Sequence, residues 1–159
     1  MRARTGNDGR VTTSTGSSKT GTASERTPAQ WYSLIFGAIL LIAGVLGFIA
    51  DSSFDFGNGV NGDELILFEV NGPHNIVHIA SGILGLALAG RRNTARAFAL
   101  GFGAVYLLVT IIGLIDGSDV LGIIPVNGAD NVLHILIAVA GIAAGLASSP
   151  RDSARAPTA

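Results

Sequence analysis

Three histidines and one aspartate are the residues of this chain whose types and spacing could do chemistry. His74 and His78 lie four positions apart, as do Asp130 and His134, so each pair shares one face of a helix. Three imidazoles and one carboxylate could ligate a divalent metal such as zinc, which takes nitrogen and oxygen donors in this number. His78 and His134 could instead approach a haem iron from opposite sides. Ionisable side chains inside apolar segments are functional-site candidates by default. The plainer role for His78, His134, Asn75 and Asn131 is hydrogen-bonding glue between helices, with Asn71-Gly72 and Asn127-Gly128 as turn and helix-start residues. Such structural contacts are the commoner use of these residue types, so on sequence alone this role comes first and no cofactor is expected.

The elements that must position these residues are four apolar stretches: residues 31–50, 74–90, 96–115 and 130–148. Each approaches the roughly 20 residues that cross about 30 Å of hydrocarbon, the second being the shortest. Spanning backbone must satisfy its own polar groups, and the stretches lack the alternation of barrel strands, so all four are expected to be helices. Only 13% of the 159 residues are charged, against about 25% in ordinary soluble domains. There are 22 glycines and no cysteine, which excludes disulfides, thiolate metal sites and a Cys nucleophile. Residues 1–29, rich in Ser, Thr and Gly, and residues 149–159 read as disordered tails flanking a membrane domain over 30–148.

Charge is segregated by segment. The ten basic residues fall in the N-terminal tail (Arg2, Arg4, Arg10, Lys19, Arg26), the middle connection (Arg91, Arg92, Arg96) and the C-terminal tail (Arg151, Arg155). The other two connections hold Asp51, Asp55, Asp63, Glu64, Glu69, Asp116, Asp119 and Asp130 without a single Lys or Arg. The positive-inside rule then puts both termini in the cytoplasm of a multi-pass protein of the cytoplasmic membrane. The acidic connections read as flexible, solvated loops that set orientation. Leu65 to Phe68 and Leu121 to Ile124 are expected at the external interface.

The chain also repeats itself. At an offset of 56, Val70, Asn71, Gly72, Asn75, His78, Ile79 and Gly85 meet Val126, Asn127, Gly128, Asn131, His134, Ile135 and Gly141. At an offset of 66, Phe36, Gly37, Ala38, Leu41 and Gly47 meet Phe102, Gly103, Ala104, Leu107 and Gly113. The expected architecture is therefore an all-α membrane bundle of four transmembrane helices, made by tandem duplication of a two-helix hairpin, with a pseudo-two-fold axis along the membrane normal. Every stretch carries a small or polar stripe: Ser33, Gly37, Leu40, Gly44, Gly47; Asn75, His78, Gly82, Gly85; Ala99, Gly103, Tyr106, Thr110, Gly113; and Asn131, His134, Ala138, Gly141, Gly145. These stripes should meet at the bundle axis, with Asn75, Asn131, Tyr106 and Thr110 as its structural polar seam. With neighbouring axes about 10 Å apart, His78 and His134 would face each other across a diagonal of roughly 14 Å.

The paired NGxxNxxH elements, Asn71 to His78 and Asn127 to His134, with the Phe-Gly-Ala starts at Phe36 and Phe102, resemble a bacterial family of small four-helix membrane proteins classified only as a domain of unknown function. The resemblance implies the fold and brings no activity, cofactor or catalytic residue. No hydrolytic dyad, phosphate loop or HExxH signature is present, and nothing suggests nucleic-acid binding. The leading expectation is a non-enzymatic structural or interaction module, whose partners are the bilayer and a second copy or another membrane protein. The alternatives are a metal- or haem-binding protein using His78 and His134, and a solute or ion pathway along the polar axis.

Overall fold

The computed structural model describes residues 25–148 and contains four helices and two small β-hairpins. Both tails expected from the sequence lie largely outside the described residues. Helix α1 spans Pro28–Ala50. Thr27 caps it in a reciprocal capping box with Gln30, and Pro28 occupies a first-turn position where its missing N–H costs nothing. Strands β1 (Asp63–Leu65) and β2 (Phe68–Val70) pair antiparallel, with Asp63 opposite Val70. Helix α2 (Gly72–Leu88) begins where the Asn71 side chain accepts from the His74 amide. Helix α3 runs Arg92–Asp116 and stops at Gly117, whose φ of 87° is a left-handed conformation that glycine adopts freely. Strands β3 (Asp119–Val120) and β4 (Ile124–Pro125) form the second hairpin. Helix α4 (Gly128–Ala147) opens with a second capping box, between Asn127 and Asp130.

Helices α1, α3 and α4 are long and apolar enough to cross a membrane, whereas α2, at 17 residues, is shorter. Each stripe read from the sequence is buried, except that His78 is half-buried. The stripes do not converge on one axis, however; they close two separate antiparallel seams. In the first, Gly37 lies against the backbone of Gly82 and Leu86, and Gly44 against Asn75 and Ile79. In the second, Gly103 meets Ala138 and Ile142, and Gly113 meets Asn131. Without a Cβ the backbones touch directly, and that close approach commits each stripe to its hairpin mate. The pair at Gly141 and Gly145 is likewise used internally, against Tyr32, Ala99 and Leu100.

Between the two helix pairs lies a cluster built on Tyr32, Phe98, Tyr106 and Ile137, with Phe36 and Phe102 packed against it. The Tyr32 hydroxyl donates to the Ile137 carbonyl at 3.0 Å. At the end of the bundle where α1 begins and α4 ends, the Ala29 amide donates to Ser148 Oγ at 2.9 Å and Gln30 Nε2 to the Ala89 carbonyl at 3.0 Å.

The opposite end is more ordered than flexible, solvated loops would be. Asp51 accepts the Ser53 and Asp63 amides, Asp119 the Gly59 and Gly122 amides, and Glu69 the Gly62 amide. These carboxylates act as caps for turn N–H groups rather than as a hydrated surface. Two reciprocal bonds then lock the hairpins together: Asn71 Nδ2 donates to the Ile123 carbonyl and Asn127 Nδ2 to the Leu67 carbonyl, both at 2.9 Å. The hairpin tips point outward, with Ile66, Leu67 and Leu121 strongly exposed.

Candidate functional site

The first two turns of α2 and the second turn of α4 bring His74, His78 and His134 together beneath the locked hairpins. One ring nitrogen from each lies within 4.8 Å of the others. His74 and His134 are 3% and 4% exposed. The His74 ring centroid stands 4.3 Å from that of His78 and 6.2 Å from that of His134. The expected confrontation of His78 and His134 across a diagonal thus becomes a triangle in which His74 touches both.

Hydrogen bonding distinguishes the three rings. His74 Nδ1 lies 2.9 Å from the Glu69 carbonyl. That oxygen can only accept, so Nδ1 carries the proton and Nε2 is left with its lone pair. A histidine oriented by a backbone carbonyl in this way is the usual arrangement behind a metal ligand. Buried Nδ1 atoms of His78 and His134 have no hydrogen-bond partner among the described residues.

Asp130, 2% exposed, does not join the cluster of donor atoms. Its Oδ2 accepts the amides of Asn127 and Glu69, both at 3.0 Å, tying the start of α4 to β2. Asn75 and Asn131 are buried, and the Oδ1 of each has no hydrogen-bond partner among the described residues. Asn75 Nδ2 donates to the Asp51 carbonyl at 2.8 Å, closing the end of α1. Its Oδ1 faces Gly47, and Asn131 Oδ1 faces Gly113 in the same manner 56 residues on. Thr110 spends its hydroxyl on the Tyr106 carbonyl of its own helix at 2.8 Å. Tyr106 presents its ring edge-on to His134, centroids 5.0 Å apart.

Two cavities reach the cluster from the flanks. One, of about 170 Å³, opens between α1 and α4 and is bounded by Phe36, Ile39, Leu40 and Ala43 together with Asp130, Leu133 and Ile137. The other, of about 270 Å³, opens between α2 and α3 and is bounded by Phe102, Val105, Tyr106 and Val109 together with His74, Val77 and Ser81. His78 and His134 line both. Leu65 and Val70 line the α1/α4 cavity without a counterpart in the other, whereas most of these wall positions correspond at the repeat offsets of 66 and 56. Stripe reasoning missed them because it followed the small residues that close the seams, while the cavities are walled by the larger residues beside the stripes. Only the offset pattern in the sequence could have paired them.

The family described as a domain of unknown function (DUF4383) matches residues 30–147. No curated protein and no solved structure matches the chain.

Proposed function

The chain belongs to the DUF4383 family, and we propose that it is a four-span integral membrane protein that holds a divalent transition-metal ion, zinc being the best fit, with His74, His78 and His134. The observation that carries this reading is the convergence of three buried imidazoles, one already fixed in a ligand tautomer by the Glu69 carbonyl. Zinc binds imidazole nitrogen at about 2.0 Å, and nitrogens of a tetrahedral site stand about 3.3 Å apart. Closing the present triangle therefore needs each ring to move inward by under about 1 Å. A haem fits less well. Its iron and macrocycle must pass between two axial imidazoles, and here His74 packs against both.

Support for four spans comes from the outward faces. Ile76, Val77, Ile83 and Leu84 on α2 are 43–55% exposed, somewhat less than Val105 and Leu108 on α3 or Val132 and Leu136 on α4 at 54–61%, and like them face outward. An apolar belt of this extent is stable in lipid and a liability in water. Helix α2 carries no Lys, Arg, Asp or Glu and its length sits at the lower limit of about 17 residues for a span. Recurrence of the same seam, lock and cavity contacts at the sequence offsets supports origin by hairpin duplication. The charge distribution supports cytoplasmic termini, with the histidines near the external face.

Elemental analysis of detergent-purified protein tests the reading. One metal ion per chain, lost in His78→Ala and His134→Ala while the protein remains folded, is expected. A structural module without a ligand predicts substoichiometric metal and no dependence on the histidines.

A further inference from the structure

We propose that the cavity between α2 and α3 admits the head of a single-chain carboxylate, a fatty acid dissolved in the bilayer, whose oxygen completes the coordination of the metal. The inference rests on the metal reading above. Three neutral imidazoles leave a divalent ion with two positive charges and, in a four-coordinate site, one open position. An anionic oxygen donor answers both. The walls of the two flanking cavities correspond in position but not in polarity: Leu40 and Ile137 of the α1/α4 cavity stand where the α2/α3 cavity has Tyr106 and Ser81. Where the α1/α4 cavity has Asp130, the α2/α3 cavity has His74. A carboxylate entering between α1 and α4 would meet the protein's own carboxylate in low dielectric, where like charges repel strongly. Entering between α2 and α3 it meets histidines, with the hydroxyl-bearing Ser81 and Tyr106 beside them and no acidic residue among the lining side chains.

The remaining walls call for an apolar tail. Phe102 and Val109 line the cavity, and Val77 and Val105, 43% and 54% exposed, stand at its mouth on the outer face of the bundle. A volume of about 270 Å³ is below the roughly 300–1,000 Å³ of pockets that enclose whole small ligands. It suits a head and its first few carbons, with the rest of the chain lying along α2 and α3 in the bilayer.

The test uses the full chain in detergent, loaded with cobalt(II), whose visible bands report both binding and a change of the fourth ligand. Decanoate should shift the bands saturably, with half-saturation at least ten-fold below that of acetate, and decanol should give no comparable shift. Val109→Phe, which fills the α2/α3 cavity, should abolish the decanoate response while keeping the cobalt bands. Ala43→Phe, which fills the α1/α4 cavity, should leave it intact. If Val109→Phe does not fold, Val105→Phe at the mouth replaces it. Equal potency of acetate and decanoate would overturn the tail, and loss of response in Ala43→Phe alone would overturn the choice of cavity. Cobalt bands that no carboxylate shifts would overturn the inference and leave the metal site standing. Absence of cobalt bands would overturn both.

Discussion

Replacing His134 by Ala removes a ring that lines both cavities and touches His74 and Tyr106. Metal affinity should fall by at least on the order of 100-fold, since even the loss of a partner behind a ligand costs about 10- to 100-fold; competition with a chelator of known affinity measures it. Gly47→Ala acts differently, because a Cβ there would overlap the carboxamide of Asn75. Overpacking a tight interface costs about 1–3 kcal/mol, so the variant should unfold at lower denaturant while binding metal with unchanged stoichiometry. Candidate residues were legible as types and spacings: four-residue separations announced which faces they share. The role of Asp130 was not legible. Its carboxylate lies on the expected face, but the Glu69 amide that claims it comes from a hairpin distant in sequence. The carbonyl of Glu69 that fixes His74 is only five residues upstream, but a backbone carbonyl carries no mark in the sequence that it turns back onto the ring.

Helices were easy to read because apolar length and caps are local properties. The hairpins were not, since strands of two or three residues carry no periodicity and their carboxylates looked like solvated charge. Asp51 shows what those charges do. Burial raises its carboxyl pKa, but hydrogen bonds from the Ser53 amide and side chain and from the Asp63 amide outweigh that and hold it below the usual carboxylate value. A depressed folded pKa means that the stabilisation is complete above the unfolded value of about 3.9 and is lost as pH falls through the folded one. Protection of the Ser53 and Asp63 amides against hydrogen exchange should therefore be flat from pH 7 to pH 5 and drop below about pH 4, and Asp51→Asn should remove that step. A second prediction concerns the hairpin tip. Ile66 has a φ of 68°, the left-handed region that β-branched residues avoid, while its counterpart 56 residues later is Gly122 with a φ of 66°. Ile66→Gly should stabilise the fold by roughly 1 kcal/mol, read as a shift in the denaturation midpoint.

For the whole molecule, pairing by small-residue stripes was anticipated in composition and misjudged in destination. Glycines seal α1 to α2 and α3 to α4, so the interface between the pairs is left to aromatic residues and to the cavities that reach the histidines. Orientation can be probed cleanly because the chain has no cysteine. In intact cells Asn58→Cys, exposed in the first hairpin connection, should react with an impermeant maleimide, whereas Gly90→Cys, exposed between α2 and α3, should react only after permeabilisation. The reverse pattern would invert the topology. What the bundle is for turns on whether its histidines hold a metal. X-ray absorption at the zinc edge of the zinc-loaded, detergent-purified protein addresses this directly. A first shell containing three imidazole nitrogens at about 2.0 Å, lost when His74, His78 and His134 are replaced together, is predicted; an all-oxygen shell, or a shell unchanged by those replacements, would contradict it.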